Sequence, residues 1–353
     1  MDLTKKENYV KKIILIDYMS PKGHENYDLI QINSLLSLGS HVTLVGRTGH
    51  FDSVPRNNNV EVKELPEWCF RKFCHLKPLC YRLQEILTLL YISYKFSPKK
   101  YDWTILLCYD ILSTFFFRTK SKVILIDHNN VGQLDNRLKL LLTKIYPDYA
   151  HIALNRQMLT RLQELLPNHK VRYIPHGLVP SFTDKLSSEK YASTESFVFC
   201  PVNQNFDRVK VSSLFNSNKF LDYLNSQNIV FYVKYFEGIR EDRKEMQVIK
   251  DRINDDDYKY LIKNSIAVIL PYTEEFRYRC SGILFECVAN DTTVICMSNP
   301  ATSIYKDVID MYEFENAKKL IECIEQRIDN GKRICDKNLL SPTSYWKDFL
   351  NLR

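Results

Sequence analysis

Ser281-Gly282-Ile283-Leu284-Phe285-Glu286 follows the apolar run Ile266-Ala267-Val268-Ile269-Leu270 across a polar, aromatic loop that opens at Pro271. The run has the length and the branched residues of a buried strand, Pro271 ends it, and Ser281 is a natural N-cap for an apolar helix starting at Gly282. A strand that passes through a loop into a helix is the repeating unit of a parallel sheet covered by helices. The segment therefore predicts an α/β fold.

The same alternation extends in both directions. Strands are expected over 12–18, 41–46, 60–65, 103–109, 122–127, 151–154 and 171–174, with helical patterns over 25–38, 70–96, 111–117, 132–146 and 157–166. Pro175-His176-Gly177 breaks this set, and 180–195 is rich in Ser, Thr and charge, as a linker would be. A second set follows, with strands over 197–201, 229–235, 266–270 and 293–297. Its helices are expected over 211–225, 242–252, 258–264, 282–289 and 317–329. One more helix, over 341–352, carries Tyr345, Trp346, Phe349 and Leu350. The predicted organisation is a doubly wound domain over 1–179, a linker over 180–195, a second domain over 196–338, and a C-terminal segment over 339–353 that returns to the first domain.

Composition agrees with two packed units. The 353 residues are long for one domain, and 45% hydrophobic with 26% charged residues is globular. No apolar stretch approaches the roughly 20 residues that a bilayer span needs, and Met1 to Asn8 lacks an apolar core and a small-residue cleavage site. A cytoplasmic location is expected. The ten cysteines are scattered, several inside apolar strand patterns where a reduced thiol acts as a small core side chain. Cys69, Cys74, His75 and Cys80 cluster, but at a spacing that matches no common zinc framework, so no metal is expected.

The formal charge of +7 is unevenly placed. Residues 69–100 hold seven basic residues against one acid, Glu85, interleaved with aromatic and aliphatic residues. Such a stretch suits either a plain solvated helix face or peripheral contact with an anionic membrane. No nucleic-acid fold signature accompanies the charge, so nucleic acid is not an expected partner.

Ligands of open parallel sheets bind beyond the carboxyl ends of the strands. At Gly282 a helix start offers unpaired N–H groups and the positive end of the helix dipole, and the glycine lets an anion approach the backbone. A diphosphate docked over Gly282, Ile283 and Leu284 would be stabilised there. Glu286 lies too far inside the helix for a capping box. Two readings fit it, a solvated helix residue or an acceptor for ribose hydroxyls.

Taken together, these positions resemble a nucleotide-sugar-dependent glycosyltransferase of the GT-B type found in bacterial polysaccharide synthesis. The resemblance covers nearly the whole chain. It is carried most specifically by Val171-Arg172-Tyr173-Ile174-Pro175-His176-Gly177-Leu178, similar to the interdomain segment of these enzymes, and by residues 260–296, similar to their donor-binding block. It implies two Rossmann-like doubly wound parallel-sheet domains facing a central cleft, with the nucleotide-sugar held mainly by the second.

In that family the donor block carries two glutamates eight positions apart, the second gripping ribose. Glu286 matches the second, whereas Tyr278 occupies the first position, and Glu274 or Glu275 is left as a substitute. Asp291 and Thr293 stand where many relatives have Gly and Pro. Arg208 and Lys210 resemble the basic pair that neutralises the leaving diphosphate, which the chemistry requires because negative charge builds on the departing phosphate. Pro21-Lys22-Gly23-His24 is similar to the turn that, in some inverting members, supplies the His that deprotonates the acceptor. Asp110 is the expected orienter of that His24, and His128 resembles the cleft His of retaining members.

The expected activity is metal-independent and cofactor-free transfer of a sugar from a nucleoside diphosphate to a hydroxyl of a glycan or lipid-linked glycan. Two alternatives share the architecture: a nucleotide-sugar 2-epimerase, and a non-catalytic nucleotide-sugar-binding subunit, the latter suggested by Tyr278 and Asp291.

Overall fold

In a computed structural model of the protein, described over residues 10–19, 24–70, 77–96, 100–183, 188–240, 243–333 and 335–351, the chain divides into two compact units. The first comprises Met1–Gly177 with Ser341–Arg353, and the second Leu178–Leu340.

The first unit is built on strands β1 (Lys12–Asp17), β2 (His41–Arg47), β3 (Val60–Leu65), β4 (Trp103–Cys108), β5 (Lys122–Asp127), β6 (Ala150–Ala153) and β7 (Val171–Tyr173). They form one seven-stranded sheet in the order β3-β2-β1-β4-β5-β6-β7, every pair parallel. The central strands β1, β4 and β5 are almost wholly buried, the signature of a sheet covered on both faces. The edge strand β3 instead carries Glu61, Lys63 and Glu64, which blunt its free hydrogen-bonding side.

Its helices are α1 (Glu25–Ser37), α2 (Lys77–Lys95), α3 (Ile111–Thr114), α4 (Arg137–Lys144) and α5 (Arg156–Leu165), and from the chain end α12 (Thr343–Asn351). Helix α12 packs on α1, where the Trp346 indole donates to Gln31 Oε1 at 2.7 Å and Gln31 Nε2 donates to the His176 carbonyl at 2.9 Å.

The second unit has strands β8 (Phe197–Cys200), β9 (Val230–Lys234), β10 (Met246–Ile249), β11 (Val268–Leu270), β12 (Val294–Met297) and β13 (Met311–Phe314). They form a parallel six-stranded sheet ordered β10-β9-β8-β11-β12-β13. Its helices are α6 (Arg208–Phe215), α7 (Asn218–Ser226), α8 (Asp255–Asn264), α9 (Gly282–Ala289), α10 (Pro300–Ser303) and α11 (Ala317–Asn330). A core rich in Phe, including Phe197, Phe199, Phe215, Phe220 and Phe231, fills the space beneath them.

Several expectations needed correction. The segment 242–252, expected as a helix, contains the strand β10, because Met246 and Ile249 are buried and the run pairs in register with Phe231 to Lys234. The single helix expected over 211–225 is two, since Ser217 accepts from the Phe220 amide and caps a new helix. The helix expected over 132–146 begins as a 3-10 turn, Val131–Asp135, before Asn136 caps α4. From Ser188 the expected linker is part of the second unit: Tyr191 is buried in its core, and the Ser188 hydroxyl bonds Asp257 of α8. Strand β13 and helix α10 had no sequence expectation.

Both sheets reverse their order at one place, between β1 and β4 in the first unit and between β8 and β11 in the second. At such switch points the loops after neighbouring strands diverge and leave a crevice for ligand.

Candidate functional site

In the second unit the switch point lies between the loop after β8 and the loop after β11. Far apart in the sequence, these loops are tied together: the Asp207 amide donates to Thr273 Oγ1 at 2.9 Å, and Arg279 donates to Asn205 Oδ1 at 2.6 Å. Asn205 adopts a φ of 68°, a left-handed conformation that Asn tolerates better than most residues.

Helix α9 opens on this side. Ser281 caps it, its Oγ accepting from the Leu284 amide at 3.2 Å while bonding the Tyr272 hydroxyl at 3.0 Å. This leaves the amides of Gly282 and Ile283 without acceptors inside the helix. Gly282 is exposed, and a Cβ built on it would meet nothing within 4 Å, so the approach to the helix start is open.

Glu286, one turn further in, is half-buried and accepts from the Tyr258 hydroxyl at 2.6 Å. Burial pushes its carboxyl above the ordinary range, and the Tyr258 hydrogen bond works against that shift. Tyr258 belongs to α8 and had not been singled out in the sequence, since nothing local links it to a residue on another helix.

The other expected donor residues are placed less tightly. Arg208 and Lys210 lie in the first turn of α6, exposed, with Arg208 3.4 Å from Glu237 and the Lys210 amide donating to the Asp207 cap. Glu274 is exposed and pairs with Arg277 at 2.9 Å, and Glu275 is exposed as well, which is the solvated condition of a loop carboxylate. Tyr278 lies beneath Arg277, whose guanidinium carbon is 4.7 Å from the ring centre. Asp291 stands at a φ of 54°, the backbone geometry for which Gly is suited, and pairs with Lys337 at 2.9 Å. Thr293 is fully buried and donates to Asp310.

In the first unit the switch point gathers a cluster that the sequence divided between two alternatives. The His24 and His128 rings are 4.8 Å apart, Tyr27 lies edge-on to His128 at 4.4 Å, and His176 lies 4.8 Å beyond Tyr27. Residues 21–23 of the Pro-x-Gly-His turn are outside the described residues. Burial lowers all three imidazoles below their ordinary values, His176 to about 4 and His128 well below, with the mutual proximity of His24 and His128 adding to the effect on His128. They are therefore neutral near pH 7 and able to accept a proton.

Asp110, expected to orient His24, is otherwise engaged. Its carboxylate accepts from the Ser113 amide at 2.9 Å, capping α3, and forms an ion pair with Arg82 of α2. For His24, burial is the main influence, the charge of Asp17 opposes it, and His50 reinforces it.

Asp17, Asp28 and His50 bring their ligand atoms within 4.8 Å of one another, a spacing compatible with a metal ion. His50 Nε2 lies 2.8 Å from Asp28 and 3.4 Å from Asp17. Although burial lowers the His50 pKa, hydrogen bonds to Asp17 and Asp28 outweigh it and lift the group to about 10. The three side chains form a buried hydrogen-bonded cluster centred on His50. Of the cysteine cluster, Cys74 and His75 lie outside the described residues, and Cys69 is a buried thiol.

No protein-family model matches the chain, and no curated protein matches it. Solved structures do. Sucrose-phosphate synthase from Thermosynechococcus elongatus aligns over 95% of this chain and 92% of its own, at 13% identity and a TM-score of 0.59. WaaG, a glycosyltransferase involved in lipopolysaccharide biosynthesis, aligns over 97% and 100% at 10% identity and 0.59. The UDP-GlcNAc 2-epimerase from Methanocaldococcus jannaschii aligns over 96% and 99% at 11% identity and 0.57. Two all-parallel α/β units with these neighbours over nearly the full length establish that the chain has the GT-B fold.

Proposed function

We propose that the protein is a glycosyltransferase that moves a sugar from a nucleoside diphosphate to a hydroxyl of a glycan or lipid-linked glycan, in surface polysaccharide synthesis. The observation that carries this reading is the start of α9, where a capped but open helix N-terminus stands one turn before a carboxylate held by Tyr258. A diphosphate at Gly282 and Ile283 would place a ribose within reach of Glu286.

In this reading Ser281, Gly282 and Ile283 hold the diphosphate and Arg208 and Lys210 offset the charge that builds on it, so the chemistry needs neither metal nor cofactor. Tyr278 and Glu274 line the donor loop. His24 or His128, both neutral, takes the acceptor proton. Among the described residues no helix is long and apolar enough to cross a membrane, and contact with an anionic bilayer is assigned to the 69–100 region, where α2 exposes Leu83, Leu87, Leu90 and Tyr94.

The test is binding and product analysis. Calorimetry with uridine diphosphate should show that Glu286→Ala weakens affinity, and unchanged affinity would remove Glu286 from the site. The epimerase neighbour favours a second reading, in which the sugar is altered without being transferred. Nucleotide-sugar recovered with an inverted C2 and no glycosylated acceptor would select it.

A further inference from the structure

At the carboxyl end of β4 and β5 the first unit contains a cavity of about 360 Å³ whose walls include Arg82, Glu85, Asp110, His128, Asn130 and Gln133. The inference drawn from it rests on the proposed glycosyltransferase reading, which needs a place for an acceptor sugar. We infer that this cavity takes an uncharged or amine-bearing saccharide residue and turns away a carboxylated or phosphorylated one, with Glu85 as the residue that sets the choice.

The reason is the state of the only cation among the described residues of its wall. Arg82 is shared between two carboxylates, 3.2 Å from Glu85 Oε2 on its own helix and paired with Asp110 on the other side. An arginine that is to seize an anionic sugar must offer an uncommitted guanidinium fork. Here both carboxylates sit on one terminal nitrogen, Nη1, so the guanidinium charge is already offset, and two acids against one base leave the described wall with an excess of negative charge. The remaining polar groups are amides, phenols and the neutral imidazole of His128, whose Nε2 is buried without a hydrogen-bond partner among the described residues. That inventory suits hydroxyl groups, which donate to carboxylates and accept from amides, and ammonium groups, which donate to carboxylates.

Helix α2 is built for this division. Leu89 and Ile92 are fully buried, and Arg82 and Glu85, three residues apart, follow the same side toward the cavity. The groups facing Glu85 are Arg82 on its own helix, Asp110 after β4 and Tyr18 after β1. Burial, with Asp110 beside it, pushes Glu85 up to about 7 against the pull of Arg82, so it is mostly ionised at pH 8.

The experiment uses ligand-observed NMR titrations of the full chain at pH 8 with methyl glucoside, methyl 6-amino-6-deoxyglucoside and methyl glucuronide, in the wild type and in Glu85→Gln. We expect the amine to bind at least threefold more tightly than the neutral glycoside and the glucuronide at least tenfold more weakly. Glu85→Gln should erase the advantage of the amine and narrow the deficit of the glucuronide, while the neutral glycoside stays within twofold and confirms folding. Equal binding of glucuronide and neutral glycoside, an ordering unchanged in Glu85→Gln, or no binding of any of the three overturns the inference. Uridine diphosphate titrated into the same samples separates the failures. If it binds while the sugars break the rule, only this inference falls; if it does not bind, the glycosyltransferase reading falls with it.

Discussion

Tyr258 and Glu286, on helices α8 and α9, share a 2.6 Å hydrogen bond in which the phenol donates to the carboxylate. The bond fixes the orientation of a half-buried acid that would otherwise be free to rotate. Tyr258→Phe should therefore weaken uridine diphosphate binding less than Glu286→Ala does. Hydrogen bonds to a charged group are each worth about 1.5–3 kcal/mol, so Glu286→Ala should cost at least tenfold in calorimetric affinity and Tyr258→Phe only a few-fold. Equal losses would mean that the phenol itself touches the nucleotide.

The pH dependence of the first unit should have an acid limb set by His176 and an alkaline limb set by His50. His50 is raised to about 10 in the folded chain, so its contribution is complete below the ordinary imidazole value of about 6.5 and is lost as pH rises through about 10. Buried Asp28, raised well above its ordinary value, acts in the same direction. His176, lowered to about 4, does the reverse: its contribution is complete above about 6.5 and is lost as pH falls toward 4. Each group gives a slope of up to about 1.4 kcal/mol per pH unit within its window. Thermal denaturation from pH 4 to 10 should show both limbs, with His50→Gln flattening the alkaline one and His176→Gln the acid one.

Two glycines should respond in opposite ways to alanine. Gly177 has a φ of 86°, and a Cβ there would lie 2.5 Å from Ile30 Cγ2 and 3.2 Å from Pro342 Cδ. Left-handed backbone costs a residue with a Cβ about 1–2 kcal/mol and overpacking about 1–3 kcal/mol more. Gly177→Ala should lower the midpoint of urea unfolding of the first unit accordingly. Gly282→Ala faces open space and should leave stability within about 1 kcal/mol while reducing nucleotide affinity, because the methyl occupies the approach to the helix start.

Vesicle cosedimentation tests the membrane assignment. Leu83, Leu87, Leu90 and Tyr94 line the outward face of α2, and on α4, reached through α3, Leu138 and Leu141 are exposed beside Arg137 and Lys144. The protein should sediment with anionic vesicles, less so at high salt, because surface attraction is screened within about 8–10 Å at physiological ionic strength. Serine at Leu83, Leu87 and Leu90 should reduce binding at least tenfold, as burial of each leucine contributes about 1.5–3 kcal/mol. Binding unaffected by either change would remove 69–100 as the contact.

The sequence by itself determined the α/β class, the strands of the first unit and most of those of the second, and the cap at Ser281, because these depend on local events: continuous apolar runs, a proline stop, a serine before an apolar helix. It also marked Glu286 and the two candidate histidines by position. It misread 242–252, where the flanking charge resembles a helix surface and only pairing with β9 shows a strand. Contacts across elements belonged to the tertiary structure alone. Tyr258 meets Glu286 from another helix, Arg82 captures the Asp110 that had been assigned to His24, and His24 and His128 meet because β1 and β5 end on the same side of one sheet. A side chain's partner is set by which strand ends the sheet order brings together, and that order is a property of packing over the whole unit rather than of any window of residues.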